Sequence, residues 1–143
     1  MKKRKILVMC TGNSFRSHIA EAYLRKFAGD KIQVYSAGVK AADMVYPWTI
    51  KLMAEEGIDI SDHASEQVDK YLDIEFDYLI TVCDNAKETC PLFPRPGGKK
   101  LHQSFKDYEP KGDFSEYEYM ETLRPIRDAI KKYCKEFVKK EIE

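Results

Sequence analysis

With 143 residues, 43% of them apolar and 34% charged, the chain carries enough hydrophobic material for one core and too much for a disordered segment. Basic and acidic side chains balance at 24 each, so no net field favours nucleic acid or a membrane surface. The basic opening Lys2-Lys3-Arg4-Lys5 precedes only about five apolar residues, short of the ~7–15 of a secretory signal and the ~20 of a membrane span, and a cytoplasmic chain with reduced cysteines is expected.

Residues 4–9 read as a buried first strand. From Arg16 onward, Ile19, Ala20, Tyr23, Leu24 and Phe27 recur at helical spacing until Gly29 closes the run. Ile32 to Ser36 alternates as a second strand, and Pro47 opens a helix through Ile50, Leu52, Met53 and Ala54 that Gly57 stops. Ser61 to Leu72 reads as a further short helix. Asp77 to Val82 is a strand that ends directly at Cys83. Three prolines and two glycines make 91–98 a loop, and Leu101 to Gln103 suggests a short last strand. Ser115 to Val138 is helical, with Leu123, Ile126, Ile130, Cys134 and Phe137 on one stripe.

No repeat or linker divides the chain, so residues 1–143 read as one domain of the α/β class. Alternating strands and helices imply a parallel sheet covered on both faces, with ligands bound beyond the carboxyl ends of its strands. Cys10 and Cys83 both fall at such ends. Two thiols distant in sequence can therefore share one rim.

The stretch Cys10-Thr11-Gly12-Asn13-Ser14-Phe15-Arg16-Ser17 joins a strand to a helix amino end. Successive backbone N–H groups in such a loop converge on a tetrahedral oxyanion, and Gly12 permits the tight path. Arg16 adds a planar fork of donors for phosphate-like oxygens. The same donors are expected to lower the Cys10 pKa, with Ser17 donating to the thiolate and Asn13 bracing the loop. The plain alternative is a buried cysteine in a glycine turn.

The motif "CTGNSFRS" resembles the phosphate loop of low-molecular-weight protein tyrosine phosphatases and of the thioredoxin-coupled arsenate reductases that share their fold. The resemblance continues through "VYSAGV" (34–39), "EEGIDISDHASEQVD" (55–69) and "FDYLITVCDNAKETCP" (76–91). It implies a four-stranded parallel sheet flanked by helices. Residues 81–91, with Cys83 and Cys90, resemble the redox segment of the reductases, whereas phosphatases of this fold need neither thiol. If 83–90 is helical, the two cysteines share a face but stand about 10.5 Å apart along the axis. A disulfide needs Cα atoms within roughly 7 Å, so bond formation would require the helix to unwind. Two ordinary core thiols are the alternative. A zinc site is not indicated by this spacing, and His18, His63 and His102 show no matching arrangement in the sequence. Cys134, on the apolar stripe of the last helix, reads as core.

The resemblance implies arsenate as substrate, with phosphate or sulfate as mimics, and Cys10 as the nucleophile that attacks arsenic held by residues 11–17. Cys83 and then Cys90 would relay the oxidation outward to thioredoxin, with no cofactor required. The family's general acid lies in an Asp-Pro pair after the last strand. Asp107 stands at that point here, although Tyr108 replaces the proline, and Glu109 and Asp113 are alternatives. Some relatives hold a potassium ion, at positions that map to Asn13, Glu21, Ser36 and Glu66. A monomer is expected. Two other functions are compatible with parts of this pattern. One is a phosphatase working through a Cys10 phosphocysteine, needing only Cys10, Arg16 and Asp107, with Phe15, Trp48 and Tyr108 as candidates to line its cleft. The other is an oxyanion- or redox-sensing protein without turnover.

Overall fold

Ile6, Leu7, Val8 and Met9 form a continuous apolar run with no exposed surface, the pattern of a strand buried on both faces. They lie in β1 (Arg4–Cys10), the second strand of a parallel sheet. A computed structural model describes residues 2–91 and 98–143 of the chain. In it β1 leads into α1 (Arg16–Ala28), followed by β2 (Ile32–Gly38), α2 (Pro47–Ala54), β3 (Tyr78–Thr81), α3 (Asp84–Thr89), β4 (Lys99–His102) and α4 (Glu116–Phe137). The four strands are ordered β2-β1-β3-β4, with Cys10 opposite Gly38 and Met9 opposite Thr81. The fold class read from the sequence is the one observed.

Local chemistry accounts for most of the boundaries. Pro47 occupies the first turn of α2, where its missing N–H costs nothing. Ser115 caps α4, accepting from the Glu118 N–H while the Glu118 side chain returns to the Ser115 N–H. Beyond Phe137 the helix loosens into a π turn over Val138–Ile142. β2 runs on to Gly38, and β4 begins at Lys99, two residues before the expected start, closing as the Gln103 N–H donates to the Thr81 carbonyl. Of the loop expected over 91–98, residues 92–97 lie outside the described residues.

One expectation fails. Residues 61–72 are not a helix; only the short 3-10 turn Val68–Tyr71 is helical. The backbone here bonds elsewhere: the Glu66 carbonyl accepts from the Gly38 N–H, and the Glu66 N–H donates to Asn13 Oδ1. Gln67 forms a parallel bridge with Gly38. These groups, spent on β2 and on the loop after β1, are unavailable for an i→i−4 ladder. Among the described residues no helix is long and apolar enough to cross a membrane.

Candidate active site

Four carbonyls of the loop between β1 and α1 are drawn away from its centre. Those of Cys10, Thr11, Gly12 and Ser14 accept from the N–H groups of Val39, Lys40, Ala42 and Tyr46 at 2.8–3.1 Å. Ser65 Oγ adds a bond to the Gly12 carbonyl and Thr49 Oγ1 one to that of Ser14. Because each peptide is planar and trans, the following N–H groups of Thr11, Gly12, Asn13 and Phe15 turn the opposite way. The Asn13 N–H accordingly meets Cys10 Sγ at 3.1 Å. This is an anion cradle with a sulfur at its floor.

Asn13 has φ 49°, the one non-glycine residue in the left-handed region among those described. It is fixed from every side: Nδ2 donates to Ser17 Oγ at 2.7 Å and Ser36 Oγ at 3.0 Å, and Oδ1 accepts from Glu66. Sequence reasoning missed Gly38. A Cβ there would stand 2.5 Å from the Thr11 carbonyl and 3.0 Å from the Asn13 nitrogen, so only glycine lets β2 approach the loop. The sole sign in the sequence was a glycine at a strand end.

Cys10 is only 3% exposed, with Ser17 Oγ 3.0 Å from its sulfur. The expected low pKa is corrected here. Burial pushes the thiol up, and this outweighs the opposing pull of Ser17, the Asn13 N–H and the Arg16 charge. Burial thus favours the Cys10 thiol over its thiolate.

Arg16 donates to the Phe105 carbonyl at 2.9 Å and faces Asp107 Oδ2 at 3.3 Å. Asp107 is half-exposed and is the acidic residue that the fold brings to the cradle's arginine. The Glu109 and Asp113 carboxylates make no ion pair or hydrogen bond among the described residues. Tyr108, standing where the resemblance expects proline, stacks on Tyr46 at 3.8 Å and meets Phe15 edge-on at 5.2 Å. Tyr119 OH donates to the Glu109 carbonyl, so aromatic packing holds the acidic loop where a proline ring would have stiffened it. Phe15 is buried, and Trp48 packs edge-on against Tyr119 under Lys51.

Cys83 caps α3, its sulfur accepting from the Ala86 N–H at 3.4 Å. The same sulfur lies 3.3 Å from Thr11 Oγ1, which also receives Asn85 Nδ2. Cys90 closes the helix at its other end, half-buried, with burial raising its pKa. His102 bridges Asp84 at 2.9 Å and Thr81 at 2.8 Å, tying the start of α3 to β3 and β4. All four cysteines are free. Cys134 is fully enclosed in the core, its thiol directed to the Ala20 carbonyl, and burial pushes its pKa up.

The residues mapped to potassium gather in one region but do not fit that ion as arranged. Asn13 turns its amide nitrogen, a donor, to Ser36, while Ser36 donates to Glu21 at 2.6 Å. The two carboxylates are also held by cations, Glu21 by Arg25 at 2.9 Å and Glu66 by Lys70 at 3.1 Å, which any ion bound there would have to displace. In the same place the fold joins His18 and His63, 45 residues apart in sequence, with their Nδ1 atoms at 3.0 Å. No spacing in the sequence signals this pair, which only the fold assembles.

A parallel sheet of this order, with a cysteine-to-arginine cradle at the end of its β1 strand, defines a class of protein. Residues 5–143 match the model of the low molecular weight phosphotyrosine protein phosphatase family, and the chain belongs to that family. Within it, an arsenate reductase 2 of Staphylococcus haemolyticus is 41% identical over 138 residues, spanning 96% of this chain and 98% of the relative. A solved arsenate reductase in the phosphate binding state has a TM-score of 0.75 at 26% identity, over 96% of this chain and 98% of its own. A thioredoxin-dependent arsenate reductase of Corynebacterium glutamicum matches with a TM-score of 0.58 at 28% identity, over 92% of this chain and 62% of its own.

Proposed function

We propose that this protein reduces arsenate to arsenite through Cys10, Cys83 and Cys90 in turn, with thioredoxin as the final reductant in a reducing, cytoplasmic compartment. The observation that carries the reading is the Cys83 sulfur, set 3.3 Å from a cradle residue and on the same helix that Cys90 closes. The names of the similar proteins support the substrate, and one of them names thioredoxin.

Arsenate enters the cradle as a dianion beside a neutral Cys10 thiol, which is equivalent in protons to a thiolate beside the monoanion. The arriving charge takes the Arg16 fork and frees Asp107. Cys10 sulfur attacks arsenic; Asp107, released from Arg16 and carrying a proton taken from solvent, protonates the departing oxygen, and water leaves. Cys83 then attacks the Cys10 sulfur. The S–As bonding pair passes to arsenic, which falls from the +5 to the +3 state and departs as arsenite, while Cys10 and Cys83 become a disulfide. Cys90 attacks Cys83 and releases Cys10, and the dithiol of thioredoxin reduces the Cys83–Cys90 bond. Two electrons and two protons enter from the partner for each arsenite and water released.

The test is arsenate-dependent NADPH oxidation with thioredoxin and thioredoxin reductase, comparing the natural chain with Cys83→Ser and Cys90→Ser. Turnover lost in both variants is the expected result. An inactive natural chain that still hydrolyses p-nitrophenyl phosphate, with both variants unimpaired, would instead identify a phosphatase.

A further inference from the structure

We propose that His18, His63 and Glu21 form a binding site for a divalent zinc-class ion that braces the oxyanion cradle. One ligand atom from each of the three side chains can be chosen so that all lie within 4.8 Å of one another. The His18 and His63 Nδ1 atoms are 3.0 Å apart, and Glu21 Oε1 lies 3.9 Å from His18 Nδ1. Two imidazole nitrogens on a tetrahedral zinc, each at about 2.0–2.1 Å, stand roughly 3.3 Å apart. The hydrogen of that contact sits on His63 Nδ1; moving it to His63 Nε2, with shifts of a few tenths of an ångström, converts the contact into a shared ligand pair.

The surroundings prepare one of these nitrogens. His18 Nε2 lies 2.9 Å from the Asn13 carbonyl, which can only accept, so Nε2 carries the hydrogen. The neutral ring then presents its Nδ1 lone pair toward His63 and Glu21. A backbone carbonyl on the far nitrogen is the usual outer support of a metal-bound histidine. Histidine nitrogens are poor ligands for a hard alkali cation and good ones for zinc-class ions, in keeping with the misfit of potassium. His63 and Glu21 border a cleft together with Ser36, Asp62 and Glu66, which gives an ion an approach and room for water as a further ligand. Arg25, which donates to Glu21 Oε2 and to the Val34 carbonyl, has a half-exposed side chain and would release Glu21 when the ion binds.

An ion there would join α1, through His18 and Glu21, to the irregular segment around His63. That segment already supports the cradle through Ser65 and Glu66, and His18 supports it through Asn13. The ion is thus placed to stabilise the loop without touching the substrate. It is independent of the cysteine relay.

The experiment uses the full chain with Cys10, Cys83 and Cys90 replaced by serine, so that thiolates do not compete. Cobalt(II) is the probe and zinc(II) the competitor. The expected result is one equivalent of cobalt with visible d–d bands and no sulfur charge-transfer band, displaced by zinc, and a rise in melting temperature. Adding His63→Gln, at a partly exposed ring, should weaken binding by more than ~10-fold, and His18→Gln likewise. Absence of saturable one-to-one binding overturns the proposal, as does affinity unchanged by His63→Gln. That variant decides the matter even if the buried His18→Gln fails to fold.

Discussion

Thr11 Oγ1 lies 3.3 Å from Cys83 Sγ, so the oxyanion cradle and the second thiol meet at one hydroxyl. The meeting follows from the strand order. β1 and β3 are neighbours in parallel register, Met9 opposite Thr81, and both chains leave the sheet within two residues of that pair. Any segment starting at Cys83 must pass the mouth of the loop that starts at Cys10. A short helix capped by the sulfur of the residue before it fixes that thiol in place.

Closing a bond between Cys83 and Cys90 is expected to dissolve α3. The cysteines flank a six-residue helix, and a helical path between them of about 10.5 Å exceeds the roughly 7 Å a disulfide allows. Hydrogen exchange on the oxidised protein should show lost protection of the amides that bond within 84–89, while the β1 amides remain protected. Arsenate added to Cys90→Ser should leave a Cys10–Cys83 disulfide, seen by peptide mapping, with α3 still protected. Protection retained in fully oxidised natural protein would contradict the unwinding.

Asp107→Asn should lower arsenate turnover by roughly one hundred- to ten-thousand-fold, the range for losing a general acid. The side chain is half-exposed and its partner Arg16 keeps the Phe105 carbonyl, so the melting temperature should hardly move. Glu109→Gln and Asp113→Asn should stay close to the natural rate. Comparable losses at either of those positions would remove Asp107 from the acid's role.

How much of this was legible in the sequence depended on how local each cause is. The β1 strand, the loop that joins it to α1 and the long helix expected from Ser115 are contiguous patterns, and the structure has them. The segment 61–72 carries helix-compatible residues, but its backbone is claimed by Asn13 and Gly38 from other elements. The same distance hid the His18–His63 pair and the role of Gly38. The sign of the Cys10 shift failed for a related reason. Its donors are neighbours in sequence, whereas the burial that outweighs them is assembled by the whole fold.

Alkylation of Cys10 should therefore climb with pH later than that of a free thiol. Its folded pKa is raised above the ordinary value of 9.0, so the thiolate fraction still grows beyond pH 9. The sign for stability follows. Between the unfolded and folded values the folded chain holds the extra proton, and stability falls as pH rises through that window. The check is the iodoacetamide rate against pH in Cys83→Ser/Cys90→Ser, read as curve shape because access is also restricted. A rate that levels off below pH 8 would show a thiolate already formed at neutrality.

Gly38→Ala should damage activity through the loop rather than through the sulfur. Its new methyl would meet the Thr11 carbonyl at 2.5 Å and the backbone of Gly12 and Asn13 at 3.0 Å, all rigid neighbours. Either β2 or the cradle must move, at a cost of about 1–3 kcal/mol by the measure of overpacked cores. Gly57→Ala is the matched control: at φ +73° it is strained by roughly 1–2 kcal/mol, yet nothing lies within 4 Å of its added Cβ. Both variants should lose stability in denaturant titrations, but only Gly38→Ala should also lose arsenate turnover and oxyanion affinity under conditions where both are fully folded. Equal turnover in the two would mean that the cradle tolerates displacement, and that the close approach of β2 serves packing alone.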